Sequence, residues 1–327
     1  MIRKDNCKER IMKIVILDGH AMNPGDLSWK PLEDLGNVFV YDKTSDVDFE
    51  KRAGDADVLL TNKTVLDQSK LDQCRKCRYI GVMASGYNVV DVEYAKKKNI
   101  VVTNVPNYST LTVAQHVFAL VFEVYLKVGV HNQQIKANAW AKSNDFCFYQ
   151  PPITEVAYKT IGVIGFGNIG KAVAKIAHAF EMRVLIYDKG KVETHEHGNK
   201  VSLDTLYAQS DVITLHLPLN KQTKHILSDD SFDKMKSNAV VINTARADLV
   251  DRQALLLALN QNKISWYATD VMEQEPPQLN DPIIIHPHTT ITGHMAWASL
   301  EARTRCLDIV VNNLALFIQE KTVNQVN

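Results

Sequence analysis

The sequence predicts an α/β architecture of two doubly wound parallel-sheet domains, and three observations carry that prediction. At 327 residues the chain is long for a single core. Short apolar runs rich in Val, Ile and Leu alternate with longer amphipathic stretches, the pattern of parallel sheets covered on both faces. That alternation runs twice, interrupted once by a long helical stretch. Hydrophobic residues at 46% and charged residues at 23% place the chain among globular, not disordered, sequences.

The elements follow in order. Residues 1–10 are charged, lack the apolar stretch of a signal peptide, and read as a short disordered extension. The first series offers strands at 13–17, 38–41, 57–60, 79–83 and 100–103, with helices around 27–35, 48–54, 66–73 and 91–98. A helical pattern over 112–128 then breaks the repeat. A polar, aromatic-bearing stretch follows over 138–152, closed by Pro151-Pro152. The second series places strands at 161–165, 183–187, 212–216, 239–243, 264–269 and 283–286. Apolar positions at helical spacing over 294–319 predict a C-terminal helix.

Charge and cysteine usage narrow the function classes. Lys+Arg and Asp+Glu both number 37, so no global basic field exists to recruit nucleic acid. No uncharged apolar run approaches the ~20 residues of a membrane span, so no membrane partner is expected. Five cysteines, an odd number without a secretory signal, suit reduced thiols in the cytoplasm. Cys74 and Cys77 form a C-x-x-C, but zinc needs two more ligands and no second pair follows at ribbon spacing. No metal is expected.

The strongest motif opens the second series, within KTIGVIGFGNIGKAVAKIAHAFEMRVLIYDK. Gly165, Gly167 and Gly170 form G-x-G-x-x-G between a strand-like run and a helical one, and a second strand ends at Asp188. Each part has a physical task. Gly165 permits the tight turn, Gly167 lets the backbone approach a pyrophosphate, and Gly170 allows helix and strand to pack closely. Asn168 and Ile169 open the helix, whose positive end suits a phosphate. Asp188, about 20 residues on, can accept hydrogen bonds from ribose hydroxyls. Residues 161–188 are therefore expected to bind a nicotinamide dinucleotide. Lys189 and Lys191 would suit the 2′-phosphate of NADP, but the carboxylate of Asp188 would repel it and favours NAD.

Such an enzyme needs a group that exchanges a proton as the hydride moves, and a cation suits an anionic substrate. Candidates lie in NTARADLVD (243–251), DVMEQEPP (270–277) and GHMAWASLEA (293–302), each after a strand of the second series. Ligands of open α/β sheets sit beyond the carboxyl ends of the strands, where Arg246, Glu275 and His294 would emerge.

These residues carry a resemblance. From about Met12 onward the chain resembles the D-isomer-specific 2-hydroxyacid dehydrogenases, and within them the NAD-dependent glycerate dehydrogenases, or hydroxypyruvate reductases. The likeness runs through KIVILDGHAMNPGDLSW, LLTNKT, YIGVMASGYNVVD, VTNVPNYSTLTVAQ, the glycine motif, LHLPLNKQT, NTAR, the DV…EPP segment, HMAWASLEA and KTVNQVN. It implies that Arg246 binds the keto acid, His294 is the general acid/base and Glu275 is its partner. The chemistry agrees: a guanidinium grips carboxylate and carbonyl oxygens in a planar fork, and a carboxylate beside an imidazole favours its charged form.

Two departures from the family pattern stand out. Gly293 precedes His294 where Pro is usual, while His288 does follow Pro287; the downstream MAWASLEA favours His294. Ala247 replaces a frequent Gly after the arginine.

The resemblance also implies substrate contacts from Lys63 and from the backbone of Ser85 and Gly86 in the turn Ala84-Ser85-Gly86-Tyr87, with Trp297 as either a pocket wall or a core residue. Thr244, Ala245 and Asp270 match positions that hold the nicotinamide carboxamide, and Thr112, Leu217 and Pro218 match further cofactor contacts. It implies a Rossmann dinucleotide-binding domain at 110–294 inserted into a flavodoxin-like substrate domain at 1–109 and 295–327. The active site would lie in the cleft between them, with hinges near Tyr108 and Gly293. The arm over 112–158, with aromatics Trp140, Phe146, Phe148 and Tyr149, would form a homodimer interface. The implied reaction is hydroxypyruvate + NADH ⇌ D-glycerate + NAD⁺, with glyoxylate as a second substrate. The alternatives are another 2-keto acid, such as pyruvate or 3-phosphohydroxypyruvate, or an NAD(H)-sensing protein of corepressor type.

Overall fold

The computed structural model describes residues 11–190 and 194–327. The extension expected over residues 1–10, and Lys191, lie outside the described residues. The chain divides into two compact units, residues 1–109 with 298–327, and residues 110–297.

The first unit is built on β1 (Lys13–Ile16), β2 (Asn37–Val40), β3 (Val58–Thr61), β4 (Tyr79–Val82) and β5 (Val101–Thr103). All pair in parallel, in the order β2-β1-β3-β4-β5. This is the flavodoxin-like order. The apolar runs of β3 and β4 are buried throughout, as central strands covered on both faces must be. Val15, Leu59, Ile80 and Val102 meet Phe49, Leu71 and Ala95 in one core. Those three residues come from helices Asp46–Ala53, Gln68–Gln73 and Val92–Lys97, which Ser45, Asp67 and Asp91 cap by accepting a backbone N–H.

Helix Leu300–Ile318 belongs to the same unit, and its Phe317 ring lies 4.8 Å from that of Tyr79 on β4. Near its start the buried Arg303 grips Asp26 through two bonds of 2.6 Å and donates to the Met22 carbonyl. This paired fork is the geometry that makes a buried guanidinium tolerable. The C-terminal tail then returns to β5. Gln325 pairs antiparallel with Thr103, and the Val326 N–H donates to the Val102 carbonyl at 2.9 Å. An otherwise open sheet edge is thereby covered.

The second unit carries β6 (Thr160–Ile164), β7 (Arg183–Tyr187), β8 (Thr194–His195), β9 (Gly198–Lys200), β10 (Val212–Leu215), β11 (Val240–Asn243), β12 (Trp266–Thr269) and β13 (Thr289–Ile291). Their order is β13-β12-β11-β10-β6-β7-β9-β8, and only β8 runs antiparallel to its neighbour. The order reverses between β6 and β10, the switch point where α/β sheets bind ligands. Period-two alternation sorts the side chains. Ile161, Val163, Val184 and Ile186 face helices Thr110–Leu126 and Asn168–Ala179. Ile164, Leu185, Ile213 and Val241 face helices Leu203–Gln209 and Arg252–Asn260 on the other side.

Several boundaries differ from the sequence expectation. The strand expected at 283–286 is a turn: the Asp281 carboxylate accepts the Ile283 N–H, and its carbonyl accepts that of Ile284. Ile283 is buried as a lone apolar plug, and the strand forms later, at β13. The helix expected over 112–128 runs Thr110–Leu126 and stops at Lys127, whose φ of 52° is left-handed; a separate helix, Val128–Lys136, follows. The C-terminal helix starts at Leu300 with Ser299 as its cap, not at residue 294. The short β8–β9 hairpin carries no alternating apolar signal and was not expected. The passage back to the first unit falls at 297/298, not 294/295, because Met295 and Ala296 are tied by their N–H groups to Asp270 within the second unit.

Among the described residues no single helix is long and apolar enough to cross a membrane, although Thr110–Leu126 and Val128–Lys136 together pass that test as a pair bent by 56°. No group of three or more His, Cys, Asp or Glu among them could hold a metal ion. Burial pushes the Cys74 thiol up to about 11 and the Cys77 thiol further still, so neither is a thiolate at neutral pH.

Candidate active site

The glycine motif occupies the turn from β6 into helix Asn168–Ala179. Gly165 has φ of +95°, a conformation that L side chains rarely adopt, and an added Cβ would lie 2.8 Å from the His216 carbonyl oxygen. At Gly170 the Cβ would fall 2.1 Å from the Gly165 carbonyl oxygen, so helix and turn pack backbone to backbone. Gly167 caps the helix and faces open space, with nothing within 4 Å of a Cβ. That combination fits a pyrophosphate: two glycines let the turn close on itself, and the third leaves room in front of the helix N-terminus. Leu217 packs against Gly165 from the loop after β10, and the neighbouring Pro218 carbonyl accepts the Thr223 hydroxyl. Burial pushes the His216 imidazole down to about 3, so this side of the turn holds a neutral ring.

Asp188 follows the end of β7, half-buried. Its Oδ2 accepts the Phe166 N–H at 2.9 Å and its Oδ1 the Gly190 N–H at 2.6 Å, which locks the glycine turn to the end of β7. A carboxylate has about four acceptor sites, so lone pairs remain for ribose hydroxyls. Thr244, just after β11, has a buried hydroxyl oxygen that finds no partner among the described residues. Buried polar atoms are seldom left so, and this one suits a ligand donor. Ala245 donates its N–H to Asn243, and Thr112 lies in the first turn of helix Thr110–Leu126.

Three adjacent parallel strands bring the candidate catalytic groups to one edge. Arg246 follows β11, Glu275 follows β12 and His294 follows β13, and these strands pair in register side by side. Asn243, fully buried, accepts the Ala245 N–H and donates its amide to the Arg246 carbonyl, so the loop bearing the guanidinium is fixed from within. The guanidinium itself is exposed and donates to the Ala245 carbonyl, at 2.7 Å.

His294 Nδ1 lies 2.6 Å from Glu275 Oε2, with side chains 28% and 36% exposed. Glu275 is held in turn by the Met272 N–H, which donates to its other oxygen at 3.1 Å. Since Nδ1 donates to the carboxylate, the remaining ring nitrogen, Nε2, is the one that can exchange a proton with a ligand. The decoy His288 stands just before β13, at the opposite end of that strand, with Trp266 stacked on its ring at 5.5 Å.

His294 has φ of 54°, a left-handed backbone that costs a non-glycine residue about 1–2 kcal/mol. Asp270 holds it there. The Asp270 side chain is 1% exposed; its Oδ1 accepts the Thr292 hydroxyl at 2.6 Å and the Met295 N–H at 2.9 Å, and its Oδ2 accepts the Ala296 N–H at 2.7 Å. Asp270 thus spends most of its acceptor capacity on the segment around His294, and a single Oδ2 site is left for a carboxamide.

In the first unit Asp18 plays a comparable part. Its carboxylate accepts the N–H groups of Asn62, Lys63 and Thr64 at 2.6–2.8 Å and so shapes the loop that presents Lys63. The Ser85 hydroxyl donates to the Val105 carbonyl, and the Ser85 carbonyl accepts the Asn104 amide, which fixes the turn containing Gly86. Sequence reasoning missed Asp18, Asn243 and Thr292. Asp18 and Asn243 end apolar strands, and a polar residue at that place was the available signal; Thr292 carried none.

A glycine turn at the switch point, a carboxylate suited to a ribose, and a carboxylate-paired histidine at the same sheet edge define a nicotinamide-dependent oxidoreductase. Residues 118–296 match the family described as D-isomer specific 2-hydroxyacid dehydrogenase, NAD binding domain. The chain is 44% identical over 321 residues to a hydroxypyruvate reductase of Blautia hydrogenotrophica, covering 97% of this chain and 100% of that protein. It is 38% identical over 280 residues to a glycerate dehydrogenase of Methylorubrum extorquens, covering 84% and 87%. Among solved structures, an acyclic imino acid reductase in complex with NADPH and D-Arg superposes with a TM-score of 0.83 at 30% identity, covering 97% of this chain and 100% of that one. The chain belongs to the D-isomer specific 2-hydroxyacid dehydrogenases and is an NAD-dependent oxidoreductase.

Replacing Gly170 by Ala should force helix and turn apart. The expected outcome is a loss of about 1–3 kcal/mol of stability together with weaker NADH binding, read by urea unfolding and by NADH fluorescence titration. Unchanged NADH affinity would contradict the packing role.

Proposed function

We propose that the protein reduces hydroxypyruvate to D-glycerate, with glyoxylate as a second substrate, and that Arg246, Glu275 and His294 carry the reaction. The observation that carries this reading is the His294–Glu275 pair of 2.6 Å at the edge where Arg246 also emerges. When bound, the reduced nicotinamide supplies a hydride to C2 of the keto acid. Arg246 binds the substrate carboxylate and carbonyl oxygen through its planar fork and sets the orientation of C2. His294, held by its bond to Glu275, gives the Nε2 proton to the oxygen that develops negative charge at C2. Glu275 keeps Nδ1 occupied and stabilises the imidazolium. In the reverse direction neutral His294 takes the hydroxyl proton.

The cofactor residues in this reading are Gly165, Gly167, Asn168, Ile169, Gly170 and Asp188, with Thr244, Ala245 and Asp270 around the nicotinamide carboxamide and Thr112, Leu217 and Pro218 as further contacts. Lys63 and the backbone of Ser85 and Gly86 are the proposed substrate contacts of the first unit, which is the substrate domain of this reading. The relatives named as a hydroxypyruvate reductase and a glycerate dehydrogenase support the choice of substrate. The four described cysteines are unpaired, which suits a reducing compartment, and the cytoplasm is the proposed location.

We also infer a homodimer. Helix Val128–Lys136 buries no residue, and beyond it Trp140, Phe146 and Tyr149 are exposed, Phe146 at 92%. Aromatic side chains of this kind are enriched in interfaces and rarely left to water in a row.

The test is NADH oxidation by the purified chain against a panel of hydroxypyruvate, glyoxylate, pyruvate and 3-phosphohydroxypyruvate. Hydroxypyruvate should give the highest kcat/KM, and a chain inert toward all four would overturn this substrate assignment. His294→Ala should lower kcat by about 10²–10⁴-fold with NADH affinity retained. Arg246→Lys should raise KM for the keto acid and lower kcat, since an ammonium cannot reproduce the fork; unchanged kinetics would exclude the bidentate role. Small-angle scattering at micromolar protein should give twice the chain mass, and a strictly monomeric mass would refute the dimer.

A further inference from the structure

Helix Thr110–Leu126 contributes a polar side chain to the segment around His294. His116, its ring 14% exposed, places Nε2 2.9 Å from the Thr292 hydroxyl oxygen and 3.6 Å from Asp270 Oδ1. The Thr292 hydroxyl has a single proton, and at 2.6 Å that proton is given to Asp270 Oδ1. The bond to His116 must therefore run the other way, with the His116 Nε2–H donating to the Thr292 oxygen. One ordered line of donors results: His116 to Thr292, Thr292 to Asp270, and from the far side the Met295 and Ala296 N–H groups to the same carboxylate. Its ends bracket Gly293 and His294 on both sides in sequence, and the His294 N–H closes a tight turn onto the Thr292 carbonyl at 3.2 Å.

We propose that His116 is a positioning residue of the active site, which acts through Thr292 and Asp270 to hold His294 in its left-handed conformation facing Glu275. A left-handed histidine persists only where its surroundings over-determine it. Gly293 on the N-terminal side adds no stiffness, and a Cβ there would meet nothing within 4 Å. The constraint must come from the anchors at Thr292 and at Met295–Ala296, and both converge on Asp270. His116 orients the Thr292 hydroxyl by occupying its acceptor side, so the hydroxyl proton stays on Asp270. Without that donor the hydroxyl can rotate, Asp270 loses one of its bonds, and the turn that carries His294 loosens. The proposal rests on the reading of His294 as the acid/base group.

The test compares wild type, His294→Ala, His116→Ala, His116→Gln, Thr292→Val and the His116→Ala/Thr292→Val double variant, all in the full chain with NADH and hydroxypyruvate. His116→Ala should lower kcat by about 10- to 100-fold, the cost of a small misplacement of a catalytic group, with KM and NADH affinity little changed. His116→Gln should restore most of that loss, because its amide can also donate to Thr292. The double variant should be no slower than the slower single variant, since both changes cut one line. Selective [15N]histidine labelling of the cofactor-free protein should show His116 protonated at Nε2.

An active wild type, an inactive His294→Ala and a His116→Ala within about two-fold of wild-type kcat would overturn this proposal alone. So would a glutamine variant as slow as the alanine one at equal melting temperature, or an Nε2 without a proton. A wild type inert toward every keto acid would instead overturn the reading of His294. If His116→Ala does not fold, Thr292→Val against Thr292→Ser carries the same comparison.

Discussion

The carboxylate of Asp270 is the constraint on which the candidate catalytic end of the second unit depends. A charge that is 1% exposed is tolerable only when donors surround it, and here one hydroxyl and two backbone N–H groups do so. Those donors come from the segment on either side of His294. Desolvation of Asp270 and the placement of His294 are thus a single event: the carboxylate cannot be satisfied unless the chain folds back across the ends of β12 and β13. The left-handed φ of His294 is held by the same bonds.

The first unit repeats the device with Asp18, which gathers three consecutive N–H groups of the loop after β3. In both units a short acid at the carboxyl end of a strand gathers the backbone of a neighbouring crossover. Parallel sheets make this economical. Their strands all end at one edge, neighbouring ends lie about 4.8 Å apart, and a short acidic side chain spans that gap. Loops that would otherwise be mobile become rigid supports. Arg246 follows the same logic with a neutral group, since Asn243 satisfies the backbone on both sides of Ala245.

Much of the fold was legible because burial on two faces leaves an unmistakable trace. Runs such as those of β3, β4, β6 and β11 contain almost nothing polar, and glycine and polar residues mark their ends. The strand expected at 283–286 shows the limit of that signal. Ile283-Ile284-Ile285 has the composition of a strand, yet Asp281 captures its first amides and bends it into a turn. An apolar triplet cannot announce whether a side chain two residues earlier will claim its backbone. The start of the C-terminal helix was misjudged for a related reason: Met295 and Ala296 look helical in composition but give their N–H groups to Asp270, and the helix waits for Ser299.

What the sequence determined by itself was chemistry with local causes. Spacing alone placed Gly165, Gly167 and Gly170 at a turn between strand and helix, and Asp188 at the end of the next strand, because each requirement is met within a few residues of chain. The direction of the His294 tautomer and the bonds that hold that residue belong to the tertiary structure. Glu275, Asp270, Thr292 and His116 come from separate elements, and only strand pairing and helix packing bring them within bonding distance. Hydrogen bonds act over about 3 Å, so no pattern along the chain can encode a contact between residues 116 and 292. That meeting exists only once the sheet has formed.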